Sequence, residues 1–264
     1  MGSGPLILGA TGNVGQALRR VPADCWNGTP VWQSRTPVSN YYHWDILNTE
    51  APDVTCDGIV MLAGAASDVA DVHIGLAQKA AALGARLGVR VLIASTQAVY
   101  GPLAGRLHEG TPCHPIGAYG TAKLAMEHAV AGQAHVTCLR IGNIMGTDML
   151  GRAAVRGDVI LDQLPSGHAP QRAMIGPVTF ARVLTGLLSH KEPLPQTLNL
   201  AQPGMIAMDD LLAAAGVPWV WRTAPDTALP ILDLDVDRLT NIVTVPPADP
   251  ATLVAEARST GWLA

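Results

Sequence analysis

Short apolar runs closed by glycine alternate along this chain with longer alanine- and leucine-rich stretches. Leu6-Ile7-Leu8 is a continuous apolar run of the kind that lies inside a parallel sheet, covered on both faces. A glycine turn and a helical pattern follow it, so residues 5–20 predict strand, tight turn and helix. Further strands are expected over residues 30–35, 41–46, 57–64, 89–94 and 135–141. The stretch 67–87 has a helical pattern rich in alanine and glycine, and a second helix begins at Ala118. Strand and helix alternate throughout, which predicts an α/β fold with a doubly wound parallel sheet of the Rossmann type. After Gly146 the pattern loosens. Residues 147–176 have little periodicity, and Gly167, His168 and Pro170 read as loops. Helices are expected over 178–189, 208–215 and 252–258, with strands over 197–200 and 218–221.

Composition narrows the class. Of 264 residues, 48% are hydrophobic and 14% charged, which is ample for a core and leaves little for a solvated tail. The formal net charge is -4 and no basic cluster exceeds Arg19-Arg20, so nucleic acid is not an expected partner. No apolar run approaches membrane-spanning length, and the N-terminal run is too short for a signal peptide. Cys25, Cys56, Cys113 and Cys138 are widely spaced and read as reduced thiols of a cytoplasmic protein. The eight histidines form no ligand spacing, so no metal site is expected.

The candidate chemistry begins at Gly9-Ala10-Thr11-Gly12-Asn13-Val14-Gly15. Glycines here allow a sharp turn and a close approach of a pyrophosphate to the backbone. The loop follows the first strand and opens a helix, the position of a dinucleotide-binding loop. The division expected is therefore a dinucleotide-binding core over 1–146. Residues 147–264 form mainly a small substrate-binding lobe, with some elements returning to the core. In such folds the end of the second strand meets the adenosine ribose. Ser34-Arg35 stands there with no acid before Asp45, which favours NADP, with NAD as the alternative and a solvent-facing Arg35 as the plain reading. Asp45-Ile46 ends the third strand, and the small residues of Leu62-Ala63-Gly64 leave room for a cofactor at the end of the fourth. Tyr119 and Lys123 are four apart, one turn above each other on a helix. A close ammonium favours the phenolate, so the pair reads as a proton-transfer device.

With these segments in order, the chain resembles the extended short-chain dehydrogenase/reductase family, in its epimerase/dehydratase branch. Residues 9–15 look like its nucleotide loop, and Ser95-Thr96-Gln97-Ala98-Val99-Tyr100-Gly101 is similar to its catalytic serine/threonine strand end. Tyr119-Gly120-Thr121-Ala122-Lys123 resembles its Y-x-x-x-K, with Glu127 four residues on, and Leu139-Arg140-Ile141-Gly142-Asn143 its L-R-x-x-N. The resemblance implies Tyr119 as acid/base, with Lys123 holding the nicotinamide ribose and depressing the tyrosine pKa. It gives Thr96 the substrate-oxygen contact, with Ser95 as the other candidate. Gln97, Asn143, Arg172 and, more loosely, Arg222 with Asp226 fall where the family meets its substrate. It also implies a homodimer built on paired helices.

Departures matter too. Gln97 and Ala98 stand where related 4,6-dehydratases carry an Asp-Glu pair, which argues against dehydration. Gln171 to Thr179 is a worn form of the R-D-x-I-H-V-x-D segment that keeps the arginine as Arg172 but lacks the two aspartates and the histidine. The expected activity is NAD(P)-dependent oxidation-reduction or epimerisation of a sugar or nucleotide sugar. A reductase or dehydrogenase of a free sugar acid or small ketone is an alternative, and a non-catalytic dinucleotide sensor a third.

Overall fold

The computed structural model describes residues 3–64, 69–103 and 105–263. Positions 67 and 68 of the expected helix lie outside them. In chain order the first half forms β1 (Ser3–Leu8), α1 (Asn13–Leu18), β2 (Thr29–Ser34), β3 (Tyr42–His43), β4 (Ile59–Met61), α2 (Ala70–Leu87), β5 (Val91–Thr96), β6 (Arg106–Leu107), α3 (Ala118–Ala129) and β7 (Val136–Ile141). The second half forms β8 (Asn143–Ile144), α4 (Met149–Arg156), β9 (Ile160–Gln163), β10 (Gln171–Ile175), α5 (Pro177–Ser189), β11 (Thr197–Leu200), β12 (Met205–Ala207), α6 (Met208–Ala215), β13 (Val220–Thr223), β14 (Ile231–Leu234), α7 (Asp237–Thr240) and α8 (Pro250–Ser259).

Seven strands make one parallel sheet in the order β3-β2-β1-β4-β5-β7-β11. Alternate side chains of its buried strands point to opposite faces. Ile7, Val60 and Leu92 pack with Phe180, Leu184 and Leu187 of α5 on one face. Leu6, Leu8, Ile59, Met61, Val91 and Ile93 pack with Leu76, Ala77 and Ala80 of α2 on the other. The result is a doubly wound helix–sheet–helix sandwich. Its carboxyl edge, where ligands bind in such folds, is the edge that collects the candidate residues.

A second sheet, β12-β10-β14-β6 with β8 also paired to β10, stands beside the first. Strands β9 and β13 pair separately. The chain crosses between these layers, since β6 from the first half joins the second sheet and β11 from the second half joins the first. A third core, including Met145, Leu150, Met174, Leu212, Leu253 and Trp262, binds α4, α6 and α8 together.

Gly167, His168 and Pro170 lie in the irregular turn between two strands, but residues 147–176 have more regular structure than their weak periodicity suggests. They hold α4, β9 and β10. Helix α4 is only eight residues long: Leu150 and Ala154, one turn apart, are buried with Ala153 packed beside them, while Met149 and Val155 are exposed, so its apolar stripe spans little more than one turn. Its ends are nonetheless marked, by Asp148 as N-cap and by Gly157 in the left-handed conformation at its C-terminal end. The third strand is also shorter than expected: only Tyr42–His43 pairs, and Trp44 to Ile46 continue as irregular chain.

Candidate active site

Gly9 ends β1 with φ +86°, and a Cβ there would lie 2.5 Å from Ala63 N. Only glycine lets the first turn close against the chain leaving β4. The turn opens on a cavity of about 510 Å³ lined by Gly9, Thr11, Gly12, Arg35, Asp45, Ile46, Leu62, Ala63 and Gly64, together with Gln33, Leu47, Asn48, Val72 and Leu76. Nine residues singled out from the sequence thus share one cleft. Gly12 keeps open space above it, with Gly9 O at 3.4 Å as the nearest atom to a Cβ built there. A cleft with this bare backbone at one end and polar side chains at the other fits a dinucleotide.

Other expected cofactor residues face elsewhere. Gly15 is buried, and a Cβ there would lie 2.6 Å from Ala10 Cα, so it serves the packing of α1 onto the turn. Val14 packs against the core, and Asn13 lines a separate cavity beside Gly146 and Trp262. Ser34 is buried, and its Oγ accepts the Thr36 N–H. The cleft takes Gln33 instead. Its Oε1 accepts the Gly9 N–H at 2.8 Å and its Nε2 donates to Trp44 O at 2.6 Å, tying the first turn to the end of β2.

The acid/base candidates gather beyond Gly64. His73 of α2 is buried next to Gly64, and its ring meets the Tyr119 ring edge-on at 6.2 Å. A Cβ at Gly120 would lie 2.6 Å from Ala98 O, so this glycine lets α3 press against the turn that ends β5. That contact brings the start of α3, which carries Tyr119, to the turn that follows Thr96. Lys123 is buried, donates to Ala94 O at 2.8 Å, and has its Nζ 6.0 Å from the Tyr119 ring centre. Burial lowers its pKa to about 8, against the opposing influence of Cys138 and Glu127. Tyr119 is 44% exposed, yet the protein around it raises its phenol pKa. The depression expected from Lys123 is therefore absent among the protein's own groups. The partly desolvated ammonium, 6 Å from the ring centre, does not outweigh the loss of water around the phenol.

Ser95 and Thr96 point to opposite faces of β5. Thr96 is half-buried, and its Oγ1 accepts the Ala98 N–H, which leaves its own proton to donate. Ser95 Oγ donates to Glu127 Oε1 at 2.5 Å, deep in a closed network. Glu127 accepts from Arg140 Nε and Nη2. Arg140 also donates to Glu109 O and lies over the Tyr100 ring. Burial opposes the Arg140 charge, but Glu127 and Tyr100 hold its pKa above the ordinary value. Ser95, Glu127 and Arg140 thus lock β5, α3 and β7 together, and Ser95 is spent on that lock.

At the substrate end, Asn143 pairs with Met174 in register, two residues along β10 from Arg172. Arg172 donates to Gln171 O and Leu229 O, and burial lowers its pKa. Arg222 lies opposite Asp162 in the β9–β13 pair and donates to it through Nε and Nη2. The Asp162 charge also reaches Arg172, but only Arg222 is bonded to it. Asp226 is exposed.

Strand order and cleft define a nucleotide-binding α/β protein of the extended short-chain dehydrogenase/reductase type. The model of the NAD dependent epimerase/dehydratase family matches residues 5–161, more than half of the chain, and the protein belongs to that family of enzymes. No curated protein matches the sequence. Among solved structures, UDP-glucose 4-epimerase from Bifidobacterium longum in complex with NAD+ and UDP is 15% identical with a TM-score of 0.76, covering 97% of both chains. UDP-glucuronic acid 4-epimerase from Bacillus cereus, with NAD and a fluorinated UDP-sugar, is 16% identical with a TM-score of 0.75, covering 98% of this chain and 99% of that one. dTDP-glucose 4,6-dehydratase from Bacillus anthracis, in complex with NAD, is 16% identical with a TM-score of 0.72, covering 97% and 95%. At these identities the likeness establishes the fold.

Proposed function

We propose that this protein is an NAD(P)-dependent oxidoreductase or epimerase acting on a carbonyl or alcohol of a nucleotide sugar, with Tyr119 as acid/base. The observation that supports the reading is that Tyr119 and Lys123 lie one turn apart on α3, which packs on the end of β5 through Gly120 and the Lys123 bond to Ala94 O, with His73 between Tyr119 and the Gly64 end of the cleft. Gly9, Gly12, Leu62, Ala63 and Gly64 hold the dinucleotide backbone, and Lys123 its nicotinamide ribose. When bound, the nicotinamide takes up or returns the hydride. Tyr119 exchanges the proton at the substrate oxygen, and the free Thr96 proton steadies that oxygen between alcohol and ketone. Elimination is not part of the scheme, because neither Gln97 nor Ala98 can serve as acid or base.

NADP is the favoured dinucleotide, on the ground that Arg35 lines the cleft at the end of β2. Arg172 and Arg222 support a diphosphate-bearing substrate. Arg222 is paired with Asp162, which cancels part of that charge and favours, as the second reading, a free sugar acid or small ketone. The outward positions Ala82, Ala85, Ala118 and Thr121 of α2 and α3 are small and support a homodimer through these helices, which light scattering would refute by returning a monomer at micromolar concentration.

The test is a hydride-transfer assay over nucleotide sugars, sugar acids and small ketones with each dinucleotide. Tyr119→Phe is expected to lower turnover by roughly 10² to 10⁴ while cofactor affinity holds. Turnover near the wild-type rate would remove Tyr119 from the chemistry. Inertness of the wild type with every pairing would favour the sensor.

A further inference from the structure

The residue after Thr96 stands at the end of a one-way chain of hydrogen bonds. Asp148 caps α4, its Oδ1 accepting the Gly151 N–H at 2.8 Å and its Oδ2 accepting from Asn143 Nδ2 at 3.1 Å. Burial raises the Asp148 pKa, against the Gly151 and Asp148 N–H groups, Asn143 and Arg152, which favour its charged form; in that form it has no proton to give, and Asn143 presents its NH₂ to it. Asn143 Oδ1 then faces Gln97 and accepts from Gln97 Nε2 at 2.7 Å. This fixes the second amide as well, with its NH₂ inward and its carbonyl away. Gln97 Oε1 is buried and has no hydrogen-bond partner among the described residues. A buried acceptor without a donor is costly, and native proteins keep few of them.

The three residues meet at the carboxyl edge of the sheet. Gln97 directly follows β5, and Asn143 opens β8 one residue beyond the neighbouring β7, with Thr96 and Ile141 in register. Thr96 is the group assigned to the substrate oxygen. We propose that Gln97 Oε1 is a specificity-determining acceptor for a substrate hydroxyl close to the reacting carbon, and that Asp148 is a positioning residue that fixes its polarity through Asn143. This rests on the nucleotide-sugar reading above. A carbonyl oxygen can receive a hydrogen bond but cannot carry off the proton. Gln97 therefore reads a hydroxyl without promoting its loss. Asp148 is tied to the site only through Asn143, so its removal leaves the contact atom in place but free to turn.

The test is isothermal titration of the protein, loaded with NAD or NADP, against UDP-glucose and its 2-deoxy-2-fluoro, 3-deoxy-3-fluoro and 4-deoxy-4-fluoro analogues. Fluorine keeps the shape of a hydroxyl but donates nothing. The wild type is expected to bind UDP-glucose roughly 10- to 100-fold tighter than one of the analogues. Gln97→Met, of similar length, is expected to close that gap. Asp148→Asn keeps a good capping residue, so its melting temperature should hold while the gap narrows. A gap unchanged in Gln97→Met overturns the acceptor role, and one unchanged in Asp148→Asn overturns the positioning role. Binding of all four ligands with no gap shows that water fills the position and overturns both. No binding of any ligand, with the melting temperature unmoved, overturns the nucleotide-sugar reading and this inference together.

Discussion

Ser95 and Thr96 are neighbours with the same functional group and opposite fates. Ser95 is 4% exposed, and its hydroxyl is consumed by Glu127, which is in turn held by Arg140. Among the described residues, Thr96 on the other face of the same strand keeps a free proton, and Gln97, in the turn just after it, a free carbonyl. Polar groups on the first side are spent on one another and hold three elements in place. Those on the second side are left for something the protein does not itself supply. The difference separates residues that make the fold from residues that use it, although both belong to the same motif.

The sharpest way to break that contrast is on the closed side. Glu127→Ala leaves Arg140, 6% exposed, without its carboxylate. Removing one partner of a buried pair costs about 3–5 kcal/mol. Urea denaturation should show that loss, whereas Tyr119→Phe on the open side should change stability little. A loss below about 1 kcal/mol for Glu127→Ala would mean that the network is not what locks β5, α3 and β7.

Lys123 lies between the two sides, buried like the network but assigned to the cleft. Its folded pKa, about 8, is below its ordinary value of 10.5. The folded state therefore binds fewer protons than the unfolded state between these values, and stability attributable to Lys123 rises with pH across that window. Below pH 8 the buried charge costs about 3 kcal/mol relative to an unshifted lysine, since each pKa unit is about 1.4 kcal/mol. Denaturation curves for wild type and Lys123→Met from neutral pH to about pH 10 isolate this contribution. The wild type should gain on the variant as pH rises, and parallel curves would show that Lys123 is not desolvated as its surroundings imply.

The same one-residue ambiguity limited what the sequence could say about the site. Buried parallel strands are near-continuous apolar runs, so β1, β4, β5 and β7 stood out, as did the long helix α2. Which of two adjacent polar residues faces the cleft is set by register, and a one-residue slip turns a side chain to the other face. The sequence prefers Thr96 with Ser95 as the other candidate, and it points to Ser34 where Gln33 lines the cleft. Gln33 gives no local signal, because a glutamine at a strand end also reads as surface. The lobe was harder still. Among the described residues strand β9 pairs only with β13 and leaves Ile160 exposed, and α4 is only eight residues long, so neither offers enough periodic sequence to stand out.

The smallest effect expected tests the open side at its far end, where the two dinucleotides differ by one phosphate. Arg35 is exposed and lines the cleft beside Gln33 and Asp45. A guanidinium offers a ribose phosphate paired, charge-assisted hydrogen bonds. Asp45 bears the opposite charge in the same cleft, but its Oδ2 already accepts from Asn48 Nδ2. If Arg35 reads the phosphate, Arg35→Ala should weaken NADP by about 1.5–3 kcal/mol, the worth of a hydrogen bond to a charged group. NAD has no phosphate to lose and should bind both proteins alike. If Arg35 only faces solvent, both dinucleotides should be indifferent to the change. Titration of the two proteins with each dinucleotide separates these cases. Tighter wild-type binding of NAD, or equal losses for both cofactors, would remove the NADP preference and shift the balance from reductase to epimerase.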